Sequence, residues 1–159
     1  MAEVNRLLTE PSDRVLMLTR IFDAPPPIVF KTWIDPEHLS RWWGPHGFKV
    51  VSCAMDVRIG GEWRLRMLGP EGADVRQHFI YREIIEPERL VFAYAFEDEA
   101  GVRGHETIVT VTFADLGGKT SLTVHQAIFE SVEVRDDHIR GWGEALERGA
   151  AYAVERAQR

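Results

Sequence analysis

The sequence predicts a single α+β domain in which an antiparallel sheet wraps around a long C-terminal helix. Three observations carry that expectation. Apolar runs between residues 48 and 127 are interrupted at short, regular intervals by turn residues. A helical apolar stripe follows them at the C-terminus. The chain of 159 residues is the size of one domain and has an ordinary globular balance, 45% hydrophobic and 28% charged. A chain of this length buries roughly two-thirds of its extended surface and folds without covalent staples.

Residues 1–12 read as a loose leader ending at Pro11, with the domain occupying 13–159. From Arg14 to Phe22 the run RVLMLTRIF is rich in strand formers. Asp23 is placed to cap a helix whose first turn holds the prolines at 25–27, and Ile28, Val29, Phe30, Trp33 and Ile34 give that helix one apolar stripe. Asp35-Pro36 ends it. Asp35 then opens a second short helix through HLSRWW, which Gly44-Pro45 stops. Six strands fit the punctuation at Gly60-Gly61, Gly69 to Gly72, Glu86-Pro87, Asp98 to Gly101 and Gly117-Gly118, making seven with the first. From about Asp136 the spacing of Ile139, Trp142, Leu146, Gly149, Ala150 and Ala153 predicts a helix about 33 Å long. Glycines 141, 143 and 149 each weaken it by about 1 kcal/mol, so the backbone there either approaches a neighbour closely or is looser than average.

Two hairpins can be read in register, because a one-residue slip reverses the facing of a whole strand. A three-residue loop at Gly60-Gly61 sets Ile59, Val57 and Met55 beside Trp63, Leu65 and Met67, with Asp56 beside Arg66. A four-residue loop after Ile85 sets Phe79 beside Phe96, Tyr81 beside Tyr94 and Glu83 beside Phe92. The result is an aromatic inner face with a few polar groups.

Charge and motifs narrow the function. The net charge of −6, from 19 basic and 25 acidic residues, argues against nucleic acid and against an anionic membrane surface. No stretch reaches the roughly 18 apolar residues of a membrane span, the N-terminus lacks a signal pattern, and the single Cys53 allows no intrachain disulfide; together these predict a cytoplasmic protein. The six histidines show no metal-ligand spacing, Cys53 has no paired histidine, and Gly60-Gly61 is no phosphate loop, so neither metal nor cofactor is expected. Asp56, Arg58, Arg64 and Arg66 read as a solvated cross-strand cluster, or else as a patch for an acidic partner.

Four segments, in order, carry a resemblance: FDAPPPIVFKTWIDPEHLSRWWGP, DVRIGGEWRLRM, YREIIEPERLVFAY and HIRGWGEALERGAAY. Over residues 14–157 the chain resembles the activator of heat-shock protein 90 ATPase homologue-like family, within the START-like (SRPBCC), birch-pollen-allergen-like superfamily. The resemblance implies a helix-grip fold with a cavity between the sheet and the C-terminal helix. That superfamily holds lipid carriers, cyclases, drug-sequestering proteins and co-chaperones, and fold alone does not choose among them.

The first reading is a non-catalytic protein, monomer or homodimer, holding a hydrophobic or aromatic small molecule. Its cavity walls would be Trp63, Leu65, Tyr81, Phe92, Tyr94, Val109 and Trp142, with Tyr81 and Glu83 as polar groups. A buried Glu83 needs either a partner or a function, and three are open to it: a salt bridge to an arginine, ligand orientation, and acid–base work. Trp42 and Trp43 sit just before a Gly-Pro break, which places at least one of them to cover a cavity mouth. The rival readings are a stress-related module docking on a chaperone or another protein, and a cyclase- or hydrolase-like enzyme.

Overall fold

The computed structural model describes residues 11–158; most of the expected leader lies outside them, and Ser12–Arg14 form one 3-10 turn. Seven strands follow: β1 (Val15–Phe22), β2 (Lys49–Met55), β3 (Glu62–Leu68), β4 (Asp74–Ile85), β5 (Arg89–Glu97), β6 (Thr107–Asp115) and β7 (Thr120–Ala127). They form one antiparallel sheet in the order β1-β7-β6-β5-β4-β3-β2. Helices α1 (Pro26–Ile34) and α2 (Pro36–Leu39) fill the crossover between β1 and β2, and α3 (Val132–Ala157) lies against the inner face, packed on β1 and α1. This is the helix-grip arrangement that the resemblance implies.

Local chemistry sets the element ends. α1 opens with prolines, whose missing N–H groups are harmless in a first turn. The cap is the Pro25 carbonyl, which accepts from Ile28 and Val29 at 3.0 and 3.1 Å; the Asp23 side chain has no such role. Pro36 disfavours helical geometry at Asp35, so α1 ends there, and the Asp35 carboxylate accepts from the Glu37 amide at 3.0 Å to start α2. α2 stops at Leu39, but turns bonded to the Leu39 carbonyl carry the chain on to Trp43. α3 starts four residues earlier than the apolar stripe suggests, because Ser131 caps it through the Val134 amide. Gly149 supplies a close approach to another ring: a Cβ there would lie 3.0 Å from the Trp42 indole.

Both hairpin registers differ from expectation. β2 ends at Met55, which pairs with Trp63, and Cys53 pairs with Leu65. A six-residue loop, 56–61, replaces the three-residue one. Its tip bonds to β4 instead, through Gly60 N–H to the Tyr81 carbonyl (2.8 Å) and Tyr81 N–H to the Gly61 carbonyl (3.0 Å). The loop folds so tightly that a Cβ at Gly61 would fall 2.0 Å from the Asp56 carbonyl oxygen. Ile59 is consequently 68% exposed and Val57 is exposed too. The shift is four residues, an even number, so Trp63, Leu65 and Met67 still face inward. The charged set re-pairs accordingly: Arg58 with Asp56 (2.8 Å), Arg66 with Asp74 (2.9 and 2.7 Å), and Arg64 with Glu97 (3.5 Å).

The β4–β5 turn holds three residues, 86–88, and a bulge at Arg82 then adds one residue to β4. Below the bulge Tyr81 pairs with Phe92, Phe79 with Tyr94 and Gln77 with Phe96; above it Glu83 pairs with Val91 and Ile84 with Leu90. An extra residue reverses the facing of everything beyond it. Ile84 therefore turns inward and Glu83 outward, where its side chain is 40% exposed and 3.0 Å from Arg89.

The core centres on tryptophan. Trp33, Trp42, Trp43, Trp63 and Trp142 are all buried. Trp43 meets four neighbours at 5.1 to 5.9 Å between ring centroids, namely Trp33, Trp42, Trp63 and Trp142, and contacts Phe79 as well. Trp142, from α3, stacks on Trp33 and donates its indole N–H to Gln126 Oε1 at 2.8 Å; Gln126 in turn donates to Thr107. Trp142→Ala removes this ring and leaves Gln126 short of a donor, at an expected cost of about 3–5 kcal/mol. Urea denaturation measures it, and a loss under about 1 kcal/mol would contradict the central place given to this ring.

Candidate functional site

One end of the grip is not filled. A cavity of about 370 Å³ lies between the segment 43–48, the ends of β3, β4 and β5, and the first half of α3. Its walls are Trp43, Gly44, Pro45 and Phe48; Met67, Val75, Gln77, Tyr94 and Phe96; and Asp137, His138, Gly141, Trp142 and Ala145. Phe96 and Asp137 are exposed and mark its mouth. Two surface depressions, of about 490 and 500 Å³, are walled mainly by the ends of strands, helices and loops around Pro87 and Gly60, well away from the grip.

Of the eight residues proposed from sequence, Tyr94 and Trp142 line this cavity. Trp63, Leu65, Tyr81, Phe92 and Val109 face inward but lie in the packed core beside it, each at most 3% exposed. Trp63 stacks on Phe79 at 3.9 Å and meets Phe92 edge-on at 5.4 Å, leaving no room for a ligand between them. Tyr81 is packed against Trp63 and Phe92, and burial raises its pKa, with the neighbouring Cys53 as a lesser cause. Glu83 stands outside, for the reason of the bulge, in the arginine salt bridge that was one of its three readings. Burial also pushes the Cys53 thiol up to about 11, so it stays protonated and a poor nucleophile at neutral pH.

The cavity wall carries a hydrogen-bond chain that the sequence reading did not assemble. Trp43 Nε1–H donates to Gln77 Oε1 at 2.9 Å, and Gln77 Nε2 donates to the Tyr94 hydroxyl at 2.7 Å. Tyr94 Oη lies 3.0 Å from His138 Nε2, and His138 Nδ1 lies 2.8 Å from the Val134 carbonyl. A carbonyl can only accept, so Nδ1 carries the histidine proton and Nε2 accepts from Tyr94. Every direction in the chain follows from that one end. Two signals for it were present in the sequence. Gln77 alternates with Val75, Phe79 and Tyr81, and His138 precedes Trp142 by one helical turn.

The segment 43–48 is fastened to α3. Arg148 Nη1 sits 2.8 Å from the Gly44 carbonyl and 3.2 to 3.4 Å from those of Trp43, Pro45 and Phe48, so its two N–H bonds are shared among four acceptors. Glu144 accepts from the His46 amide at 2.9 Å, and Glu147 lies 3.5 Å from the His46 ring. Gly44 has φ +97°, a conformation that side chains rarely adopt, and a Cβ there would strike Met67 Sδ at 2.8 Å.

Two outcomes follow. Arg148→Met leaves partly buried carbonyls without a charged donor and should cost about 2 kcal/mol in urea denaturation; a loss below about 0.5 kcal/mol would show the clasp to be idle. Burial lowers the pKa of His138, against the opposing pull of its Val134 bond and of Glu130 and Asp137. The unfolded chain, with its ordinary value of 6.5, then binds the proton more readily than the folded one. The His138 contribution is complete above pH 6.5 and is lost as pH falls below it. His138→Gln should therefore flatten the stability profile between pH 7.5 and 5.5, and parallel profiles for the two proteins would contradict that assignment.

The family described as Activator of Hsp90 ATPase homolog 1-like protein matches residues 23–153. Among curated proteins none matches the chain. Solved structures share the whole architecture. A protein from Arthrobacter aurescens is 29% identical with a TM-score of 0.81, over 90% of this chain and 87% of the other. A protein from Chromobacterium violaceum is 28% identical with a TM-score of 0.77, over 88% and 96%. An AHSA1 protein from Silicibacter pomeroyi is 26% identical with a TM-score of 0.78, over 89% and 99%. Spanning all but the first strand and the last turn of α3, the family match covers both the sheet and the helix that grip the cavity, and the chain belongs to the Activator of Hsp90 ATPase homolog 1-like family.

Proposed function

We propose that the protein is a non-catalytic binding protein that holds a mainly apolar, aromatic small molecule in the cavity between α3 and the ends of β3–β5. The observation that carries this reading is the cavity itself: about 370 Å³, walled by Trp43, Phe48, Met67, Phe96 and Trp142, with one connected polar array running from Trp43 through Gln77 and Tyr94 to His138. A drug-sized ligand needs roughly 300 Å³ or more, apolar walls for affinity and a few fixed polar groups for orientation. Burial at about 25 cal/mol per Å² of apolar area supplies the attraction, less the cost of ordering the ligand. The absence of chemistry belongs to the same reading. The basic nitrogen in the wall, His138 Nε2, is already engaged by the Tyr94 hydroxyl, and burial raises the Tyr94 pKa. Both groups are thus held in their neutral forms.

The test uses N-phenyl-1-naphthylamine, a neutral dye that brightens in apolar surroundings, with a dissociation constant expected at about 1–100 μM. Ala145→Trp places a ring in the cavity from α3, and Val75→Phe fills it from the half-buried end of β4. Each should weaken binding at least about tenfold in protein that keeps its circular dichroism. Binding unchanged in both folded variants would remove the cavity from consideration.

A further inference from the structure

The charges around the cavity separate classes of ligand, an inference that rests on the binding reading above. Among the described residues lining it there is no lysine or arginine, and the one ionised side chain is Asp137, at the mouth. Glu130 adds negative charge close to both Tyr94 and His138. Glu144 and Glu147 stand against His46 of the 43–48 segment. The helix that walls the cavity carries two arginines beside the lining residues, Arg140 and Arg148. Arg140 pairs with Asp137 at 3.0 Å on the solvent side, both being largely exposed. Arg148 lies behind the Gly44–Pro45 wall with Nη1 directed at four carbonyls. Neither cation presents a donor to the cavity lumen.

The hydrogen-bond chain adds a second, independent restriction. The Trp43 N–H, the Tyr94 O–H and the His138 Nδ1–H are all engaged within the protein. What remains for a ligand is one N–H of Gln77 and the second lone pairs of Gln77 Oε1 and Tyr94 Oη. Those lone pairs suit a ligand that donates a hydrogen bond. A carboxylate, sulfonate or phosphate brings only acceptors and would lose its hydration without gaining a cation or a row of N–H groups.

We infer that the cavity selects neutral aromatic hydrogen-bond donors, such as phenols and arylamines, and rejects organic anions of the same shape. The aromatic body lies among Trp43, Trp142, Phe48 and Phe96, and its O–H or N–H reaches the Gln77–Tyr94 end. Fatty acids and other acidic amphiphiles are excluded by charge, although the cavity has room for an acyl segment.

The experiment compares two probes with one ring skeleton. N-phenyl-1-naphthylamine is neutral and carries an N–H; 1-anilinonaphthalene-8-sulfonate has the same rings and a fixed negative charge. Energy transfer from the buried tryptophans reports each, and only binding that Ala145→Trp weakens at least about tenfold is counted. The neutral probe is expected to bind at least about tenfold tighter. A cation introduced at the mouth should narrow the gap by tightening the sulfonated probe at least about fivefold, and Phe96→Arg does this at a residue 41% exposed, where a charge can reach water. Equal or tighter binding of the sulfonated probe by the unaltered protein would overturn the selectivity while leaving the cavity a binding site. A gap unmoved by Phe96→Arg would overturn its electrostatic origin. Failure of both probes to bind folded protein would overturn the binding reading, and the selectivity with it.

Discussion

A buried indole N–H is costly to leave without an acceptor, and at Trp43 the acceptor it finds links the core to the cavity. The ring sits where four other tryptophans converge, so its apolar faces are satisfied by packing alone. Its nitrogen is not, and it recruits Gln77 from β4. A buried glutamine amide has its own donor to place, which brings in Tyr94 from β5, and the tyrosine proton brings in His138 from α3. One donor thus ties the crossover segment, two strands and the long helix into one directional chain. Its bonds lie in surroundings poor in water, where a broken link leaves an unpaired polar group.

The same segment explains why a cavity persists beside so dense a core. Trp42 and Trp43 plug the grip at one end, and Gly149 lets α3 come down onto Trp42. Past Trp43 the chain turns at Gly44 and leaves as a loop instead of returning to the core. Arg148 then holds the carbonyls of that loop at a set distance from α3. A hydrophobic interior ordinarily closes over a void of this size. Here the wall that would have to move is fastened by a guanidinium, and the opposite wall is made by the ends of β3, β4 and β5, interior strands that cannot bend inward without breaking their ladder.

Much of the fold was legible from periodicity. Seven strands, two short helices and a long C-terminal helix each follow from apolar spacing and turn residues, and the inward facing of Trp63, Phe79, Tyr81, Phe92 and Tyr94 follows from alternation. The errors came from features that alternation cannot encode. The bulge at Arg82 adds one residue, so Glu83, which continues the inward series 79, 81, 83 on paper, ends up outside. The tip of the loop 56–61 bonds to β4, and Val57 and Ile59 look like strand residues but face solvent. Alternation within one strand sees neither, because both are set by pairing with a neighbouring strand.

The site was less legible than the fold for a related reason. Large aromatics draw attention as pocket walls, yet in this protein most of them bind one another: Trp63, Tyr81 and Phe92 fill the middle of the grip instead of leaving space in it. Space survives toward the strand ends, where the inward positions are Met67, Val75, Gln77 and Phe96. These residues look unremarkable singly, and their meaning appears only when α3 brings His138 opposite Tyr94. A polar residue on an otherwise apolar inner face marks a place to which the fold must bring a partner, since burial without one is costly. Gln77 and His138 both meet that description, whereas Glu83 met it only in a register that the bulge removes.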